Sequence, residues 1–170
     1  DNGDYSLSFD GNEDYVDIEF PVLNNPTAFT ILGWFNTNSI EGNNYILHHG
    51  NGGEIKIFLS NNNLAARVKT TDGWSDELST QISFGEWYHY ALSYEQNNSL
   101  KLFLNGVEMD SKSISEHSLY NSSDNLTFGI SNNGDGEPFN GYLDELSIWT
   151  TALTQEDIQL YMSSSPNTDE

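Results

Sequence analysis

Short runs in which apolar and polar residues alternate with a period of two, set off by Asn, Gly and Ser, dominate this chain. Such runs are the signature of half-buried β-strands joined by turns. Tyr5–Phe9 alternates cleanly, and Tyr15–Phe20 puts Val16, Ile18 and Phe20 on one face. Ala28–Phe35 is apolar on both faces, which predicts a central strand covered on both sides. Tyr45–His49, Glu54–Ser60 and Leu64–Lys69 follow, separated by Asn-Gly-Gly and Asn-Asn-Asn turns. Glu86–Glu95 sets Trp87, His89 and Ala91 on one side and Tyr88, Tyr90 and Leu92 on the other. Ser99–Leu104 runs into Asn105-Gly106, a strong hairpin signal, and returns through Val107–Met109. Leu126–Ile130 and Phe139–Trp149 bring the total to roughly a dozen strands.

One helix is predicted near the end. Thr154 is its N-cap, Asp157 sits at the capping-box position, and Ile158, Leu160 and Tyr161 form its apolar side. Many short strands with one helix imply an all-β fold: a two-sheet antiparallel β-sandwich of jelly-roll type with a short C-terminal helix. Residues 1–163 are expected to form this domain. Residues 164–170, Ser-Ser-Pro-Asn-Thr-Asp-Glu, read as a linker, as in a module of a multidomain chain.

Composition narrows the partners. With 26 Asp+Glu against 5 Lys+Arg the formal charge is −21, which excludes nucleic acid and disfavours anionic membranes and strongly anionic polysaccharides. The same balance favours uptake of divalent cations. Mean hydropathy is low, −0.55, yet 4 Trp, 9 Tyr and 9 Phe supply an apolar interior. There is no cysteine, so disulfides, thiolate zinc sites and a cysteine nucleophile are all excluded. No apolar run approaches the length that inserts into a bilayer.

The closing strand carries the sharpest chemical question. Strict alternation puts Tyr142, Leu146 and Ile148 on one face and Leu143, Glu145 and Trp149 on the other, with Asp144 in register with the first set. A carboxylate on an apolar face is costly unless it is paired, hydrogen-bonded or bound to a cation. Cationic partners are scarce here, so Ca²⁺ is expected at Asp144.

Several stretches in order resemble one family. Ser6–Ile18, Phe29–Phe35, Gly85–Tyr94 with Leu102–Gly106, and Gly141–Trp149 followed by Ala152-Leu-Thr and the helix to Tyr161 are similar to laminin-G-like, concanavalin A-like jelly-roll modules. The resemblance spans about residues 5–162. It implies a structural Ca²⁺ where the opening Asp-Gly loop meets the acidic closing strand, held by Asp10 and Asp144 with carbonyl oxygens from Gly11, Asn12 or Tyr15. It also implies a secreted or cell-surface module that binds glycans or proteins, or spaces other domains. A related branch of the sandwich contains glycoside hydrolases and polysaccharide lyases.

Catalysis finds little provision. The related hydrolases string Glu-x-Asp-x-x-Glu or Glu-x-Asp-x-Glu along one strand, whereas the only Glu-x-Asp here, Glu108-Met109-Asp110, lacks the third carboxylate. Asp144 and Glu145 are adjacent and face opposite ways. His48-His49 cannot both face one metal. His89 is expected as a hydrogen-bonded core residue, and His117 lies in a Ser-rich loop. Glycan binding needs exposed aromatic faces flanked by amides and carboxylates. Trp34 and Trp87 are expected in the core and Trp149 on either side. Trp74, in a turn-like setting, is the best exposed platform, and Tyr120 with Asn132, Asn133 and Asp135 are candidates for the same rim. The expectation is a non-catalytic carbohydrate-binding or adhesion module with one structural calcium. A protein-interaction spacer and a divergent polysaccharide-cleaving enzyme are the competing readings.

Overall fold

The computed structural model describes residues 5–19, 22–39, 43–50, 54–114, 118–120, 124–131 and 137–163. These form thirteen strands and one helix. One sheet contains, in spatial order, β1 (Leu7–Asp10), β13 (Asn140–Trp149), β3 (Ala28–Thr37), β9 (Trp87–Glu95), β10 (Ser99–Leu104) and β11 (Val107–Ser113). The other contains β2 (Val16–Ile18), β12 (Leu126–Phe128), β4 (Asn43–His49), β5 (Ile55–Ser60), β6 (Asn63–Thr70) and β7 (Gly73–Trp74), with β8 (Leu78–Gln81) also paired to β6. Every pairing between these strands is antiparallel. The all-β sandwich read from alternation is thus the fold found. The two short strands β7 and β8 add to those that alternation predicts: two and four residues give the pattern too little length to register.

The sheets bury their inner faces against each other. Phe29, Ile31 and Phe35 of β3 and Tyr90, Leu92 and Tyr94 of β9 share one core with Ile55, Ile57 and Leu59 of β5 and Leu64, Ala66 and Val68 of β6. Burial of this kind contributes about 1.5–3 kcal/mol per large side chain. The Asn105-Gly106 turn takes left-handed dihedrals at both residues, φ 50° and 72°, as a type I′ hairpin requires. The helix α1 (Gln155–Ser163) opens on the expected capping box. Asp157 N–H donates to Thr154 Oγ1 at 3.2 Å, while Thr154 N–H donates to Asp157 Oδ2 at 3.1 Å. Ile158 anchors α1 against Leu32, Ala91 and Phe103 on the outer face of the six-stranded sheet, with the Trp149 and Tyr161 rings tilted against each other at 4.4 Å beside it.

The closing strand departs from strict alternation. Its register with β3 runs Leu143↔Phe35 and Asp144↔Trp34, then resumes at Ser147↔Leu32. Glu145 is the inserted residue, in the left-handed region at φ 48°. The bulge shifts the phase, so Leu143 on one side of it and Leu146 and Ile148 on the other all pack on the core between the sheets. Asp144 therefore does not share a face with Leu146 and Ile148, as alternation predicted. It lies on the outer face, and its Oδ1 accepts the Glu145 N–H at 2.8 Å. Opposite the bulge sits Gly33, where an added Cβ would come 2.8 Å from Leu146 Cδ2 and 3.1 Å from the Asp144 carbonyl oxygen.

Gly141, at the entrance to the same strand, has φ 153° and no room for a side chain, because a Cβ there would lie 2.1 Å from the Asn36 carbonyl oxygen. Gly141→Ala should destabilise the domain by about 3 kcal/mol or more. In thermal unfolding this should lower Tm by at least about 6 °C. A Tm within 2 °C of the parent, roughly the scatter expected of a neutral surface change, would show that the close approach is relaxed at no cost.

Candidate functional site

The residues expected to hold calcium do not meet. In β1 Asp10 pairs with Asn140, and Leu7 pairs with Leu143. Asp144 therefore lies four residues along β13 from Asp10's partner, about 13 Å at about 3.3 Å per residue. Two carboxylates on one Ca²⁺ must bring oxygens within about 5 Å of each other. The register does not permit the joint site. Asp10, Gly11 and Asn12 instead form a local turn in which Asn12 N–H donates to Asp10 Oδ1 at 2.9 Å and Asp10 N–H donates to Asp14 Oδ2 at 3.0 Å. Tyr15 is exposed just beyond it. Among the described residues no three acidic or histidine side chains gather as a metal-binding group.

The residues proposed for the glycan rim fare differently. Trp74 and Tyr120 stand 36% and 48% exposed. Lys69 lies between them, its Nζ 6.0 Å from the Trp74 ring and 4.5 Å from the Tyr120 ring. The strand register explains the meeting. Lys69 pairs with Trp74 across β6 and β7, and the Tyr120 N–H donates to the Lys69 carbonyl at 2.8 Å. Lys56 and Arg67 are directly opposed on β5 and β6. Lys56 Nζ sits 5.0 Å from the Trp74 ring and Arg67 Cζ 4.2 Å from it. Burial, and next the Arg67 charge, push the Lys56 ammonium below its usual range.

Three of the five basic residues thus converge on one exposed indole of the seven-stranded sheet's outer face. Like charges directly opposed across strands are unfavourable. Among the described residues the single ion pair is Lys101–Glu108, so none of these three is paired. Glu137 closes one side of the face: Asn43 Nδ2 donates to its Oε1 at 3.0 Å, and it hydrogen bonds Tyr45, whose hydroxyl burial pushes up to about 12. Tyr45 in turn faces Lys56, 5.6 Å from its ring. Asn132, Asn133 and Asp135 lie outside the described residues, as does His117. The basic residues were missed because each sits alone in an unremarkable strand, and only the β5·β6·β7 register brings them together.

On the six-stranded sheet, Trp34 and Trp87 are not core residues. Both point outward with His89, beyond the end covered by α1. Trp87 is 44% exposed and Trp34 half-buried. His89 is 1% exposed, its ring edge-on to Trp34 at 5.4 Å, and neither ring nitrogen has a hydrogen-bond partner. The hydrogen-bonded histidine expected there is therefore not found. Burial lowers its pKa to about 4. The two carboxylates of Glu-x-Asp diverge at a second bulge, where Leu102 pairs with Asp110 and Phe103 with Glu108. Glu108 pairs with Lys101 at 3.0 Å, and Asp110 Oδ2 accepts the Ser79 N–H at 3.1 Å.

The sheet order and the outer faces define an antiparallel jelly-roll sandwich with aromatic side chains displayed on both sheets. The family model described as the concanavalin A-like lectin/glucanases superfamily, of laminin-G type, matches residues 10–159, and the chain belongs to that family. Paraclostridial mosquitocidal protein 1 of Paraclostridium bifermentans is 24% identical over 160 residues, covering 83% of this chain. The chain spans 13% of that relative's length. Two solved structures share the fold. One is of botulinum neurotoxin type C, described as depending on two ganglioside molecules to enter cells: TM-score 0.73, 18% identity, covering 95% of this chain and 42% of that one. The other is a candidate carbohydrate-binding protein of Bacteroides ovatus: TM-score 0.71, 20% identity, covering 91% and 47%.

Asp144→Ala removes the acceptor of the Glu145 N–H and should cost about 1 kcal/mol. The loss should be the same in calcium and in chelator; a calcium-dependent Tm that the substitution abolishes would return the ion to this carboxylate. His89 supplies a pH signature. Its folded pKa of about 4 lies below the ordinary 6.5, so the unfolded chain binds the extra proton first. Stability should fall as pH drops from 6.5 towards 4, by about 2–3 kcal/mol for this residue. His49, also lowered by burial, adds in the same direction. Denaturant titrations across this range should show a shallower acid loss for His89→Gln, and an unchanged slope would mean His89 charges freely in the fold.

Proposed function

We propose that this chain is a non-catalytic carbohydrate-binding module of a larger secreted or cell-surface protein, and that the Trp74 face takes a sugar bearing a single carboxylate or sulfate. The observation that carries the reading is an exposed indole and an exposed phenol around three unpaired cations in a chain of net charge −21. An indole face stacks on the C–H surface of a sugar ring, and a guanidinium is suited to grip a carboxylate or sulfate. One acidic group among Lys56, Arg67 and Lys69 would relieve their mutual repulsion. A polyanion would still meet the repulsion of the whole molecule. The names of the neurotoxin and of the Bacteroides ovatus protein support a glycan as partner. The commitment of Glu108 and Asp110 to separate structural bonds supports a module without hydrolytic activity.

Binding of sialyllactose and of a glucuronate-bearing disaccharide, compared with lactose by calorimetry, tests this reading. The acidic sugars should bind the more tightly, and Trp74→Ala should weaken them about tenfold. Its Tm should stay within about 3 °C of the parent, since the side chain is at an exposed edge. Absence of binding to any acidic sugar would contradict the proposal and favour a protein-interaction spacer. Release of reducing sugar from either ligand would contradict its non-catalytic part.

A further inference from the structure

The outer face of the six-stranded sheet carries a second constellation, which the Trp74 face does not explain. The β13·β3·β9 register lays six side chains in two rows. Tyr142, Asn36 and Trp87 form one row, and Asp144, Trp34 and His89 form the next. Both rows point away from the core, because their neighbours Leu143, Phe35, Tyr88 and Tyr90 point into it. Helix α1 covers the same face only over Leu32, Ala91, Phe103 and Trp149. The bulge at Glu145 separates the covered half from the open half. On the open half the Tyr142 and Trp87 rings lie 6.3 Å apart at 40°, 39% and 44% exposed.

Two large aromatic rings held in solvent beside each other cost the fold hydrophobic free energy, and a contiguous exposed apolar patch marks a binding surface. Its occupant is limited by what lies between the rings. Asn36 stands directly between Tyr142 and Trp87 and offers both donor and acceptor. Asp144 offers a second carboxylate oxygen beyond the one that holds the Glu145 N–H. Beneath them His89 is buried with both ring nitrogens unpartnered, supporting the edge of Trp34. Neither row contains a cation, and Asp144 repels anions. Aromatic faces alternating with an amide and a carboxylate match a ligand with apolar C–H faces rimmed by hydroxyls and without charge.

We infer that the Tyr142–Asn36–Trp87 row and its neighbour Asp144 form a second glycan-binding face, specific for neutral sugars and independent of the Trp74 face. It goes beyond the function proposed above, since it uses the opposite sheet and takes uncharged sugars in place of acidic ones. The ring pair takes adjacent sugar rings along one chain, while Asn36 and Asp144 read their hydroxyls. Two outer faces of different charge preference would let one module hold two glycans at once.

Affinity electrophoresis through gels containing a neutral polysaccharide (β-glucan, xylan, galactomannan or glucomannan, each in turn) tests the inference. The parent protein should be retarded by at least one of them. Trp87→Ala and Tyr142→Ala should each reduce that retardation about tenfold in apparent affinity, and Trp74→Ala should leave it unchanged. Asn36→Ala, which alters no ring, should also weaken binding and guards against misfolding of the aromatic variants. Failure of all four polysaccharides to retard the parent overturns the inference, as does retention of full binding by Trp87→Ala and Tyr142→Ala. Loss of retardation in Trp74→Ala alone would place neutral sugars on the other sheet and likewise overturn it. Failure of the Trp74 face would appear separately, as absent binding of the acidic sugars.

Discussion

A single extra residue in the closing strand sets the layout of the molecule. β13 lies one strand in from the edge of the six-stranded sheet, hydrogen-bonded to β1 and to β3, and it must present apolar side chains to the core on both sides of Asp144-Glu145. Strict pleating cannot do this with Leu143, Leu146 and Ile148. A left-handed Glu145, steadied by the Asp144 carboxylate, absorbs the mismatch, and the absence of a side chain at Gly33 gives the bulge room. The same phase shift decides what faces out. Trp149 is delivered to α1, and Tyr142 and Asp144 are left beyond its reach.

The two outer faces are consequently different chemical surfaces on one frame. On the seven-stranded sheet, opposed strands concentrate three cations around Trp74. On the six-stranded sheet, the helix stops short of a cation-free row of aromatic and polar side chains. Neither arrangement is needed to close the core. Lys56 opposite Arg67 costs free energy, and Trp87 and Tyr142 in water forgo burial. Unfavourable features that the fold does not require are where ligand recognition is to be sought, and here they fall on the two faces and not at the acidic turn of Asp10.

Much of the fold was legible in the chain because its causes are local. The apolar runs of β3 and β9, the alternation of β10, the Asn105-Gly106 hairpin and the Thr154–Asp157 capping box each express their physics within a few residues. The bulge does not. Its trace in the sequence is a spacing of three, Leu143 to Leu146, in an otherwise period-two strand with a glycine on the neighbouring strand, and pairing is needed to recognise it. An unbroken strand would turn Asp144 towards the core, where its carboxylate would call for a cation. Apolar residues on both faces of β3 and β9 predict Trp34 and Trp87 in the interior, yet the second face is covered only in part, by a helix of nine residues. Trp74 and Tyr120 could be read as exposed from their turn-like surroundings. The cations beside them could not, since Lys56, Arg67 and Lys69 meet only across strands.

The four tryptophans are direct reporters of which face is occupied. A heteronuclear NMR titration of the labelled domain with sialyllactose, following the four indole N–H signals and the Arg67 side-chain N–H, reports which face the ligand occupies. Binding at the basic face should give selective, saturable shifts of Trp74 and Arg67, with Trp34, Trp87 and Trp149 unmoved. Shifts confined to Trp87 or Trp34, or none at saturating sugar, would contradict the claim that the basic face of the seven-stranded sheet recognises an acidic sugar.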